Sequence, residues 1–136
     1  MAGETVDKSS QSYAYKEHGK CALAALVCSF EAVEGELETA DQYLVGYLPS
    51  GVTVPQAVLL TDDLDVDDSV ALAWDVLIGA TALATAIGND TAKAGMFVIG
   101  DHITTSGETA VYLKASTAAA TAAGGTINLA VFYVGT

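Results

Sequence analysis

Residues 61–79, TDDLDVDDSVALAWDVLIG, place Asp62, Asp63, Asp65, Asp67 and Asp68 within seven positions and then run into an alternating apolar segment. There Val70, Leu72, Trp74, Val76 and Ile78 share one parity, and Ala71, Ala73 and Asp75 the other. A period of two belongs to a half-buried strand and not to a helix, so the segment is expected to face a core with Trp74 inside it. The aspartates then read as the charged turn between two strands, where carboxylates also discourage edge pairing.

The same period recurs on both sides. In TINLAVFYVG (126–135), Ile127, Leu129, Val131 and Tyr133 alternate with Asn128, Ala130, Phe132 and Val134. TAVYLKAS (109–116) sets Val111 and Leu113 against Tyr112 and Lys114, and KCALAALVCSFEAV (20–33) alternates well enough for a strand. DQYLVGYLPSGVTV (41–54) is expected to put Tyr43, Val45 and Tyr47 on one face and to break at Pro49-Ser50-Gly51. VPQAVLLTDDLD (54–65) is a further β-rich run, and MFVIG (96–100) a short strand followed by a loop at DHITTSGE (101–108). ATALATAIGNDTAKAG (80–95) reads as a small-residue connection with turn chemistry at Gly88-Asn89-Asp90, and TAAATAAGG (117–125) as a low-complexity loop. Seven or eight strands with turn signals roughly every eight to twelve residues define an all-β class, a single β-sandwich or jelly-roll domain over residues 20–136. Residues 1–19 are polar and carry Tyr13 and Tyr15; they read as an extended N-terminal arm held on a neighbour or on its own domain.

Charge narrows the function classes. Seventeen acidic residues face five lysines and no arginine, a net charge of −12. Phosphate backbones need cationic neutralisation, and bidentate phosphate or guanine recognition needs arginine, so nucleic acids and phosphorylated ligands are poor partners. No apolar run approaches the roughly 20 residues of a membrane helix, and the N-terminus lacks the apolar centre of a secretory signal, so synthesis in a cytoplasm and no membrane partner are expected.

An EF-hand opening at Asp63 would have Asp68 where the turning glycine belongs and Trp74 where a bidentate glutamate belongs, which leaves only some other calcium geometry open. A catalytic carboxylate pair needs a cleft and a raised pKa, and neither is visible. Asp101, His102 and Ser106 are too close in sequence for a triad, and no nucleophile elbow occurs. His18 reads as an exposed arm residue, and Cys21 and Cys28 as small apolar residues in a reduced compartment, with no finger-like spacing to the histidines. No glycine-rich nucleotide loop opens a helix. Catalytic, metal and cofactor residues are therefore expected to be absent, and the protein is expected not to be an enzyme.

The order YLPSGVTV, TDDLD, VALAWDVLIG and AGGTINLAVFYV resembles a group of small bacteriophage structural proteins in which an lPaG turn, a dDLD hairpin, an apolar strand ending in glycine and a closing strand ending in tyrosine recur. Those are the jelly-roll cement, or decoration, proteins that clamp the outside of tailed-phage heads. The resemblance runs from about residue 20 to the C-terminus and leaves residues 1–19 and about 80–94 unmatched. It implies a structural virion protein on the outer capsid surface, bound to the major capsid protein and to copies of itself, as a homotrimer ahead of a homodimer. Tyr13 and Tyr15 are candidate anchors on the arm, joined by Tyr43 and Tyr47. A tail or neck component and a carbohydrate-binding β-sandwich, with Tyr43, Tyr47 and Tyr112 as its aromatics, are the alternatives.

Overall fold

The computed structural model describes residues 3–15, 23–67, 69, 71–88 and 93–135. Ten strands run through them: β1 Thr5–Asp7, β2 Ser12–Tyr15, β3 Leu23–Ala32, β4 Gln42–Leu48, β5 Val52–Thr61, β6 Ala73–Ile78, β7 Thr81–Gly88, β8 Lys93–Thr104, β9 Thr109–Thr117 and β10 Gly125–Gly135. They form two five-stranded sheets, β1-β4-β9-β6-β7 (sheet A) and β2-β3-β10-β5-β8 (sheet B). From β3 onward the chain changes sheets at every step except the β6–β7 hairpin. The resulting orders, β3-β10-β5-β8 facing β4-β9-β6-β7, are those of an eight-stranded jelly roll, and the all-β expectation holds. The hairpin turns at Gly79, whose φ of 62° only glycine adopts without cost and whose backbone twist suits a two-residue loop.

Alternation packs the interior. Leu72, Trp74, Val76 and Ile78 are buried from sheet A, opposite Ile127, Leu129, Val131 and Tyr133 from sheet B. Trp74, fully buried, lies 6.3 Å from the Tyr43 ring, which sits 4.7 Å from Phe30. This tilted aromatic row joins both sheets at the centre of the core.

Four expectations change. In β4 the phase flips: Tyr43 and Val45 are buried, but so is Leu48, whereas Tyr47 is 45% exposed. The register slips between Leu44 and Gly46, and this bulge supplies the extra residue that sends Tyr47 outward. The small-residue stretch after Gly79 is strand β7, and the DHIT part of the expected loop belongs to the twelve-residue β8. Alanine, threonine and glycine carry too little hydrophobic contrast for a period of two to show; pairing with β6 and β5 decides these segments. The aspartate segment is not a hairpin turn either, because β5 lies in sheet B and β6 in sheet A, so residues 62–72 cross between sheets.

The arm is built into the domain. β1 runs parallel to β4, with Val6 opposite Tyr43, and β2 runs antiparallel to β3, with Tyr13 opposite Val27 and Tyr15 opposite Ala25. Each sheet thus gains one edge strand from a single short segment. Asp41, 3% exposed, secures the arm by accepting from Glu4 N–H at 2.9 Å through Oδ1 and from Glu38 N–H at 3.1 Å through Oδ2. Among the described residues no helix is long and apolar enough to cross a membrane.

Candidate functional site

Asp65 separates itself from the rest of its cluster. Its side chain is 1% exposed, and five backbone N–H groups converge on it. Those of Ala71, Leu72 and Ala120 donate to Oδ2 at 2.9, 3.0 and 2.9 Å, and those of Thr121 and Asp67 to Oδ1 at 3.0 and 3.3 Å. Burial pushes this carboxyl upward, but the donors from Thr121, Ala120, Ala71 and Leu72 outweigh it and hold Asp65 well below the usual carboxylate range. The carboxylate joins the crossover 62–72 to the loop 118–124, which adds Val66 N–H to Thr121 O at 2.9 Å and Ala123 N–H to Leu64 O at 3.1 Å. Gly125 is required beside it, since a Cβ there would come within 2.9 Å of both Asp62 Cβ and Leu64 Cδ2.

The neighbouring carboxylates serve local structure. Asp62 Oδ2 accepts from Thr126 N–H at 2.9 Å, and Asp67 accepts from Thr121 Oγ1 at 2.6 Å and Ser69 N–H at 2.9 Å. The Thr121 hydroxyl and the Ser69 N–H hold Asp67 below its ordinary value against burial and the Asp65 charge. Asp68 and Val70 lie outside the described residues. Among the described residues no cluster of three histidine, cysteine or acidic side chains could hold a metal ion. The oxygens of Asp65 already face five donors, so its carboxylate acts as a structural clasp between the crossover and the loop 118–124.

The tyrosines part company. Tyr43 is 1% exposed, so its ring is a core element and not a partner anchor; the correction follows from its packing between Phe30 and Trp74. Its hydroxyl donates to Glu36 Oε1 at 3.1 Å, and burial together with the Glu36 and Asp41 charges pushes it far above the ordinary phenol value. Tyr47 lies in the open on sheet A, opposite Ala110, and Tyr112 is half-buried between Leu44 and Leu77. Tyr13 and Tyr15 belong to edge strand β2. Cys28 is 1% exposed with its Sγ 3.6 Å from the Lys8 carbonyl, and burial, partly offset by Lys8, pushes its thiol to about 11. Asp101 and His102 fall within β8, whereas His18 and Cys21 lie outside the described residues.

The outer faces of the two sheets differ in chemistry. On sheet A, Lys114 stands opposite both Asp75 and Gln42. On sheet B the cross-strand rows are Val27–Ala130–Val58 and Ala25–Phe132–Gln56, all half-buried, next to Leu60 at 43% exposure. No charged side chain interrupts these rows, which hydrophobic periodicity in single segments does not reveal; only the strand order brings them together.

No protein-family model and no curated protein matches the chain. Solved structures do. A chain of the cyanophage Pam1 capsid asymmetric unit superposes with a TM-score of 0.75 at 27% identity, covering 90% of this chain and 91% of that one. A chain of the Ralstonia phage GP4 capsid gives 0.74 at 20% identity, covering 97% and 98%, a likeness of fold alone. The chain therefore resembles phage capsid-type proteins in structure over nearly its whole length, and the resemblance carried by the ordered motifs agrees with it.

Proposed function

We propose that the protein is a non-enzymatic capsid cement, or decoration, protein that binds the outer surface of a tailed-phage head and stabilises the lattice of its major capsid protein. The observation that carries this reading is the near full-length superposition on a chain of the Pam1 capsid asymmetric unit. The physics of the chain supports it: a rigid two-sheet scaffold, buried polar groups spent on holding loops, and a net charge of −12 that suits a surface facing away from DNA. Tyr47 on sheet A is the open aromatic anchor for a capsid subunit, and Tyr13 and Tyr15 on the arm are the others. Attachment at several subunits multiplies modest contacts. In this reading residues 1–19 act as an arm on a jelly-roll domain of residues 20–136, copies assemble as a trimer or dimer about a capsid axis, and no nucleic acid, membrane or cofactor takes part.

The test is co-sedimentation of the purified protein with heads that lack it, followed by heat or osmotic challenge of the particles. Saturable binding with increased particle resistance is expected, and Tyr47→Ala should weaken it without altering the fold. Failure to bind heads would overturn the cement role; binding to tails or to a glycan array would then identify the tail component or the sugar-binding module.

A further inference from the structure

We infer that the end of the sandwich built by the connector 33–41, the crossover 62–72 and the loop 118–124 docks a cationic, apolar-centred face of a capsid subunit. The inference rests on the cement reading and deepens it, since it names the surface and the chemistry of its partner.

Exposed side chains carry the argument first. Val33 and Val66, at 55% and 54%, are the most exposed large hydrophobic residues among those described. A lone exposed valine means little, but these two flank one loop. The Val66 N–H donates to Thr121 O at 2.9 Å, and Gly124 lies so close on the other side that a Cβ there would stand 4.0 Å from Val33 Cα. Between them Ala118, Ala120, Ala122 and Ala123 are exposed or half-buried, and no charged residue occurs from 117 to 127. The loop is also pinned from both sides. Ala119 N–H to Leu37 O at 3.1 Å and Ala118 N–H to Thr39 Oγ1 at 3.2 Å tie it to the connector, and Asp65 ties it to the crossover. A surface held in this way loses little freedom when a partner covers it.

Charge selects the partner. Glu31, Glu38, Asp62 and Asp63 are exposed around the patch, whereas strand pairing brings Lys93 level with Thr61 and sets Lys114 opposite Asp75. At the opposite end of the sandwich the turns 49–51, 79–80 and 105–108 contribute Glu108 as their one charged residue. An apolar centre inside a carboxylate rim complements an apolar face rimmed by lysine or arginine, and it repels a second copy of itself. Tyr47, next to the last residue of β4, stands at the opposite end. The two attachment points therefore lie at the two ends of the sandwich, as a protein that bridges capsid subunits requires.

Co-sedimentation of the purified full-length chain with heads that lack it, across a series of salt concentrations, tests this. Affinity is expected to fall at least about tenfold from low to high salt as the charge attraction is screened. Val33→Ser combined with Val66→Ser should weaken binding about tenfold. Asp63→Lys should weaken it about tenfold at low salt and flatten the salt dependence, whereas Glu108→Lys, an equal change of net charge at the far end, should alter it less than about threefold. All four positions are at the surface, circular dichroism and melting check folding, and Asp63→Asn serves if the reversal does not fold. Head binding that is insensitive to salt, to the valine pair or to the Asp63 change, or that responds equally to Glu108→Lys, would overturn the inference and leave the cement reading standing. A chain that ignores heads at every salt concentration would sink both.

Discussion

Asp65 shows how one carboxylate can organise two loops. Asp65→Ala leaves the N–H groups of Ala71, Leu72, Ala120 and Thr121 without their acceptor, and at about 1–3 kcal/mol for each buried donor that water does not reach, a loss of at least about 3 kcal/mol is expected in denaturant unfolding. Asp65→Asn should cost nearly as much, because its amide turns a donor toward donors. The pH dependence follows from the direction of the shift. A carboxyl held below its unfolded value contributes stability that is full above about pH 4 and is lost as the pH falls toward the folded value. Unfolding midpoints should therefore drop steadily in acid, and less steeply in Asp65→Asn. Tyrosine positions make a second contrast: Tyr43→Ala should cost about 3–5 kcal/mol, and Tyr47→Ala less than about 1. Ala40, at a φ of 68°, is the described non-glycine residue with left-handed backbone, and Ala40→Gly should stabilise by up to about 1 kcal/mol in thermal unfolding.

At the scale of elements, legibility tracked side-chain contrast. β6, β9 and β10 alternate large apolar residues with small or polar ones, so their inner faces could be read from the sequence, and Trp74 and Tyr133 are buried as their parity requires. β7, TALATAIG, is mostly Ala and Thr, and Leu83 and Ile87 alone are too few to give such a signal. Bulges are invisible to a strict period of two: the slip after Leu44 reversed Tyr47, and another at Pro55 shifts β5 from Val52 and Val54 inward to Ala57 and Leu59 inward. Pro55 fits there because a bulge tolerates a residue without an N–H. The aspartates were legible as a cluster, but not Asp65 as its pin, since Ala120 and Thr121 lie more than fifty positions away. The arm gives the prediction at this scale. Deleting residues 2–18 removes β1 and β2 and the Glu4–Asp41 and Lys8–Leu44 hydrogen bonds but leaves the eight-stranded jelly roll. A folded product with a lower melting temperature and a tendency to associate through the uncovered edges of β3 and β4 is expected; an unfolded product would show that the arm is part of the cooperative unit.

For the molecule as a whole, the asymmetry of charge and the order of strands act together. The net charge is −12, yet the rows Val27–Ala130–Val58 and Ala25–Phe132–Gln56 at the middle of sheet B carry none of it, whereas Asp62, Asp63, Asp65 and Asp67 gather on the crossover between β5 and β6. The strand order has one further consequence. β10, the last of the described strands, is also the middle of sheet B, bonded to β3 on one side and β5 on the other. β3 and β5 therefore have no partner across the gap between them until a strand that begins at Gly125, far along the chain from both, comes to lie there. Sheet B is closed by long-range pairing, which is slow, and a chain in which β10 has not yet docked would hold two half-sheets with their inner edges bare.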